Sequence, residues 1–120
     1  MPKSHQLGSW GEDMARHFLE MCGYYCLHQQ YRKPGGEIDL IVRRGQVLVF
    51  VEVKTRGLNS LASPESWVDG RKIARMKKTA RHWLSENPKQ GIVEYRFDVV
   101  AVEFHGDDRG MAIRHLAGID

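Results

Sequence analysis

Apolar residues recur along this chain with two different periods, and the switches between those periods mark out its elements. Met14, Ala15, Phe18, Leu19 and Cys22 follow the spacing of one helix face. Ser9 and Glu12 just before them fit a capping box, which predicts a helix that starts at Ser9 and stops at Gly23. Tyr24 to Tyr31 reads as a strand, closed by Arg32-Lys33-Pro34-Gly35-Gly36 as a loop. Two runs rich in Ile, Val, Leu and Phe follow, Glu37 to Val42 and Val47 to Lys54. The short gap between them, Arg43-Arg44-Gly45-Gln46, makes them a hairpin. Gly57 to Ser63 is polar and reads as a loop. Asp69 is a good N-cap for a second helix carrying Ile73, Met76, Ala80, Trp83 and Leu84 at core spacing and ending near Asn87-Pro88. Ile92 to Phe104 and Met111 to Leu116 read as two further strands, paired across His105-Gly106-Asp107-Asp108. The order αβββαββ predicts an α/β protein, a mixed sheet with helices against it.

Length and composition narrow this picture. The 120 residues suit one domain, spanning 1–120, and 42% hydrophobic with 28% charged residues excludes a disordered tail or a fibrous repeat. The longest apolar run is Val47-Leu48-Val49-Phe50-Val51, far short of the ~20 residues of a membrane helix. Met1-Pro2-Lys3-Ser4-His5-Gln6 lacks the apolar stretch of a signal peptide. The expectation is a soluble, cytoplasmic protein that engages no membrane. Cys22 and Cys26 lack the further ligands a zinc site needs and read as small buried residues that stay reduced.

The net charge of +3 says little, but its distribution says more. Between Asp69 and His82 there are six basic residues and one acid, so a basic face sits on a mildly acidic body. That asymmetry suits a partner rich in phosphate, and it equally suits a solvated helix face. Taking Ile73 as zero, Arg71, Arg75, Lys78 and His82 fall at about 140–200° and form one stripe opposite the core, with Lys72 and Thr79 at its edge nearer the sheet. Such a stripe suits phosphate contacts, which position a nucleic acid without reading its sequence. Arg56, just past the hairpin, and Arg43-Arg44 at its tip could extend it. Lys72 is the basic residue placed best to approach a reacting phosphate.

The hairpin carries the sharpest chemical signal. Closing it through an even-membered gap pairs Val42 with Val47, sets Asp39 opposite Phe50 and Glu37 opposite Glu52, and puts Asp39, Glu52 and Lys54 on one face. Both acids then sit in strands that otherwise look buried, where each uncompensated charge costs several kcal/mol. Lys54 can pair with one of them; a divalent cation with hard oxygen ligands, Mg²⁺ or Mn²⁺, answers the remainder. The bland alternative is a solvent-facing sheet side with ordinary ion pairs.

Asp39, twelve intervening residues and then Glu52-Val53-Lys54, after a helix bearing Glu12 and before a basic helix, resembles the PD-(D/E)XK nuclease pattern. Nearly the whole chain looks like the YraN-like family of bacterial predicted endonucleases, which is similar in turn to the archaeal Holliday junction resolvases. Gly8-Ser9-Trp10-Gly11-Glu12, Gly36-Glu37-Ile38-Asp39-Leu40-Ile41, Phe50-Val51-Glu52-Val53-Lys54-Thr55-Arg56 and Phe97-Asp98-Val99-Val100 carry the resemblance. Ile38, where the pattern has Pro, departs from it. The resemblance implies a restriction-endonuclease-like three-layer core and a metal-dependent endonuclease acting on DNA, branched or otherwise structured. It implies that Asp39, Glu52 and the Val53 carbonyl ligate the metal, and that Lys54 holds and helps deprotonate the attacking water. It also implies a glutamate on the first helix near the metal, a role for Glu12 that does not exclude capping. Glu12 and Leu19 lie about 20° from one line on a helix, so Glu12 points toward the sheet in either case.

Trp10 reads as a buried aromatic or a base-stacking one, and Asp98 as the partner of a basic neighbour. Cutting a four-way junction calls for a symmetric pair of sites, hence a homodimer. Two other function classes remain open: a nucleic-acid-binding module with little or no hydrolysis, and a structural protein whose basic helix meets an acidic partner. The second leaves the hairpin carboxylates unexplained.

Overall fold

In the computed structural model, which describes residues 4–57, 68–88, 91–104 and 110–120, five strands form one sheet whose spatial order follows the chain. They are β1 (Tyr25–Lys33), β2 (Gly36–Arg44), β3 (Val47–Gly57), β4 (Glu94–Phe104) and β5 (Met111–Leu116). β3 and β4 run parallel and the other neighbours antiparallel. A parallel pair needs a crossover, and helix α2 (Gly70–Glu86) supplies it on one face of the sheet. Helix α1 (Ser4–Met21) covers the other face. The mixed α/β class and the order αβββαββ stand as expected and agree with a restriction-endonuclease-like three-layer core.

The central strands are buried on both sides. Val49, Val51, Val100 and Val102 pack with Ala15 and Leu19 of α1. Leu48 and Phe50 face Met76, Ala80 and Trp83 of α2, with Phe50 stacked on Phe97 at 5.3 Å between ring centroids. This two-sided burial explains the unbroken apolar run Val47 to Val51. Asp69 is the N-cap of α2, its side chain accepting from Lys72 N–H at 2.9 Å, and Asn87 is its C-cap.

Several boundaries move. α1 begins at Ser4, so Ser9 and Glu12 lie inside the helix and no capping box forms at Ser9. The same spacing fits a helix interior, and a cap exists only where a helix starts. At the other end Tyr24 N–H bonds Leu19 O and Gly23 N–H bonds Glu20 O, both at 3.0 Å, the pair of bonds that closes a helix before a left-handed glycine. β1 continues to Lys33, paired with Gly36, so only Pro34 and Gly35 turn and not the five residues expected. Cys22 is exposed and Cys26 half-buried, so neither is the fully buried residue their apolar neighbours suggested. Residues 58–63 and 105–108, read as loops, lie outside the described residues.

The hairpin register also differs. Gly45 and Gln46 alone turn between Arg44 and Val47, with Gly45 at φ +60, the backbone region a two-residue turn asks of its first position. Val42 therefore pairs with Val49 rather than Val47, and Ile41 rather than Asp39 lies opposite Phe50. The slip is two residues, so by itself it moves no side chain to the other face. Continued by one step, the register sets Asp39 opposite Glu52 itself. One local break matters: Ile38 packs on the α2 side while Leu40 packs on the α1 side, so the alternation of β2 fails at Asp39.

Candidate metal and nucleic-acid site

Pairing between β2 and β3 ends at Leu40 and Val51. Just beyond, Asp39 Oδ2 accepts the N–H of Val53 at 2.8 Å. A carboxylate thus takes the place of a strand carbonyl, and the two strands part around it. The opening is a cavity of about 310 Å³ lined by Glu12 of α1, Glu37 and Asp39 of β2, and Glu52, Val53 and Thr55 of β3. Because it sits where strands separate, it gathers side chains from both sides of the sheet.

Glu52 is 5% exposed, and two lysines reach it. Lys54 Nζ lies 3.7 Å from Oε1, and Lys72 Nζ of α2 lies 3.1 Å from Oε2. Neither approach has hydrogen-bond geometry at Oε2, which is buried and accepts no hydrogen bond among the described residues. Compensation of Glu52 therefore exceeds the single lysine expected, because α2 leans its first turn over the end of β3. Asp39 has no such ion pair among the described residues. Burial and the charge of Glu52 push its carboxyl up to about 7 against the one Val53 N–H that favours the anion; Glu12 and Glu37 add to the rise.

Glu12 accepts from Gln30 Nε2 at 3.2 Å, while its Oε1 is buried and takes no hydrogen bond among the described residues. Burial raises the Glu12 carboxyl too, opposed by the Gln30 bond. Asp39 and Glu52 with the Val53 carbonyl fit a hard divalent cation. Two acids share one cavity, one of them disfavoured as an anion by the other, and Glu52 Oε2 lies buried with no hydrogen bond among the described residues. Among the described residues no three His, Cys, Asp or Glu side chains converge as a ready-made cage. The donor set is a carboxylate pair, which suits an ion that keeps several of its waters, as Mg²⁺ does.

The basic residues divide. Arg71, Arg75, Lys78 and His82 are exposed on the outer face of α2, as their spacing predicts. Arg56 is half-buried two residues beyond Lys54. Arg43 and Arg44 do not extend this face. Arg44 donates to Cys22 O at 3.1 Å and covers the Tyr24 ring at 4.4 Å, tying down the end of α1. Both arginines lie at the hairpin tip, about 13–17 Å along β2 from Asp39. Trp10 is half-buried rather than fully buried, packed edge-on against Phe104 at 5.3 Å. Asp98 pairs with Arg96 at 2.9 Å, the basic neighbour expected. Thr55, which lines the cavity, and Gln30, which bonds Glu12, were not read from the sequence. Thr55 follows Val53 at strand period, a signal that was there to use. Gln30 stands at φ +51, alone among described non-glycine residues in positive φ, and nothing in its neighbours announces that.

Residues 11–102 match the model of the family described as "Uncharacterised protein family UPF0102". The chain belongs to this family. The matched stretch contains every candidate residue from Glu12 to Lys78. A UPF0102 protein of Chloroherpeton thalassium is 45% identical over 95 residues, 79% of this chain and 73% of that one. Another, of Sulfurihydrogenibium sp., is 44% identical over 111 residues, covering 92% and 90%. A third, of Vibrio parahaemolyticus, is 38% identical over 103 residues, covering 86% and 85%. No helix among the described residues is long and apolar enough to cross a membrane.

Proposed function

We propose that this UPF0102 protein is a cytoplasmic, divalent-metal-dependent phosphodiesterase of the PD-(D/E)XK type, an endonuclease acting on branched or otherwise structured DNA. The observation that carries the reading is the Asp39–Glu52 pair at the parted ends of β2 and β3, open to a cavity and flanked by Lys54 and Lys72. Asp39, Glu52 and the Val53 carbonyl hold the ion. Mg²⁺ or Mn²⁺, when bound, supplies Lewis-acid polarisation of a phosphoryl oxygen and charge stabilisation in the transition state. Lys54 orients the attacking water and draws on its proton, and its ammonium offsets charge that develops on the phosphate. Glu12, held by Gln30, faces the same cavity and orients water or cation from the α1 side. Arg56, Arg71, Arg75 and Lys78 bear on flanking phosphates and set the strand's position rather than its sequence. A four-way substrate would bring two copies together as a symmetric pair.

A second reading, a nucleic-acid-binding module with little hydrolysis, draws support from the two lysines on Glu52. They compensate one acid without any cation. Incubation of the purified protein with branched, nicked, single-stranded and double-stranded DNA plus Mn²⁺ separates the two. Cleavage lost in Lys54→Ala supports the nuclease. DNA binding without cleavage, equal in both proteins, supports the module.

A further inference from the structure

A second cavity, of about 420 Å³, lies between the β1–β2 turn and the first turns of α2, lined by Arg32, Lys33 and Glu37 on one side and Lys72 and Arg75 on the other. Glu37 also lines the carboxylate cavity, so the two spaces share a wall. Gly36 keeps the turn close against α2, since a Cβ there would stand 2.3 Å from Thr79 Oγ1. Four cationic side chains thus meet one carboxylate. Arg32 pairs with Glu37 and Lys33 with Glu86, each at 3.0 Å, while Arg75 makes no ion pair among the described residues. A basic hollow that contains arginine forks suits a phosphate group.

Lys72 links the two cavities through Glu52. It lines the basic one while its Nζ rests on Glu52 Oε2, a buried oxygen that accepts no hydrogen bond among the described residues. In that position the ammonium stands where a divalent ion on Glu52 would put its own charge, and two cations repel at one oxygen. We propose that the basic cavity is a subsite for the backbone phosphate next to the one at the carboxylates, and that Lys72 couples the two sites. A divalent ion on Glu52 displaces Lys72 toward the basic cavity, where it meets the phosphate. Cation and DNA strand then strengthen each other's binding, as linkage requires. This coupling rests on the reading of Asp39 and Glu52 as a cation site.

The test uses Ca²⁺ alone in calorimetry, and fluorescence anisotropy of a labelled DNA duplex with and without Ca²⁺ at constant ionic strength. Three proteins are compared: the unaltered chain, Lys72→Ala, and the double variant Arg32→Ala/Arg75→Ala. Lys72→Ala should bind Ca²⁺ at least about fivefold more tightly, its competitor gone, yet lose most of the Ca²⁺-dependent gain in DNA affinity. The double variant should keep its Ca²⁺ affinity and flatten the log–log salt dependence of DNA binding by about 0.7–0.9 for each phosphate it no longer neutralises. Lys72→Met, which keeps the half-buried stem, repeats the measurement should the alanine variant melt early. Ca²⁺ binding to Lys72→Ala no tighter than to the unaltered chain overturns the coupling. A double variant that binds DNA unchanged overturns the subsite. Both failures leave the metal reading standing if the unaltered chain binds Ca²⁺; no Ca²⁺ binding at all removes that reading and the coupling with it.

Discussion

Two interior aspartates of one sheet are treated in opposite ways. Asp98 on β4 is fully buried, and its oxygens meet Arg96 Nε and Nη2 at 2.9 Å, Gly118 N–H at 3.0 Å and His115 Nε2 at 2.7 Å. Burial alone would raise its carboxyl, but the bonds from His115, Arg96 and Gly118 outweigh burial and hold it below the usual range. Asp39 on β2 accepts one backbone N–H among the described residues and lies beside a second carboxylate, which with burial pushes it up to about 7. Burial is common to both; compensation is not. An acid with its lone pairs filled is a structural tie between strands. An acid pair left short of donors at an open cavity retains affinity for a cation.

The largest expected effect comes from breaking the filled network. Asp98→Ala should cost about 3–5 kcal/mol in chemical denaturation, because it leaves the half-buried Arg96 without its carboxylate. Asp98 sits below its ordinary value in the folded state. Its contribution is therefore present above about pH 4 and fades as pH falls through the folded value, so the variant and the unaltered chain should converge in acid. Next in size is Gly11→Ala, which leaves the carboxylates alone but presses α1 against the cavity wall. The new Cβ would stand 1.9 Å from Thr55 Oγ1, and overpacking of that kind costs about 1–3 kcal/mol. Loss of cation affinity beyond that stability loss would show that the open side depends on the seating of α1.

Asp39→Asn should do the reverse of Asp98→Ala. It keeps an acceptor for Val53 N–H and removes the charge that Glu52 opposes, so the metal-free melting temperature should hold or rise. A fall of more than about 1 kcal/mol in stability would class Asp39 with Asp98 as a structural tie. Smallest in stability is the change of Arg71, Arg75 and Lys78 to alanine together, all on the exposed face. It should leave melting nearly untouched and flatten the salt dependence of DNA binding by roughly two to three units if all three meet phosphate.

Legibility in the sequence followed the strength of local rules. Asp69 as N-cap and the Gly45 turn were readable, because caps and turns are short-range; strand parity was a weaker guide, since the alternation of β2 breaks at Asp39. The exact register was not, since Val47 to Val51 is apolar on both faces and a slip of two leaves the pattern unchanged. Ser9-Glu12 misled for a related reason: the spacing of a cap also occurs inside a helix. The approach of Lys72 to Glu52 joins residues on two elements, and helical angles could place Lys72 only near the sheet. The positive φ of Gln30, which turns its amide to Glu12, had no local signature at all.

The central claim is that the underfilled carboxylate pair is a cation site, and thermal unfolding in a Mg²⁺ or Mn²⁺ titration tests it most directly. A cation bound only by the folded chain should stabilise it by about 2.7 kcal/mol at one hundred times its dissociation constant. The unaltered chain should therefore melt progressively higher as cation is added, while Asp39→Asn and Glu52→Gln should not respond. Equal shifts in all three proteins, or none in the unaltered chain, would contradict the account.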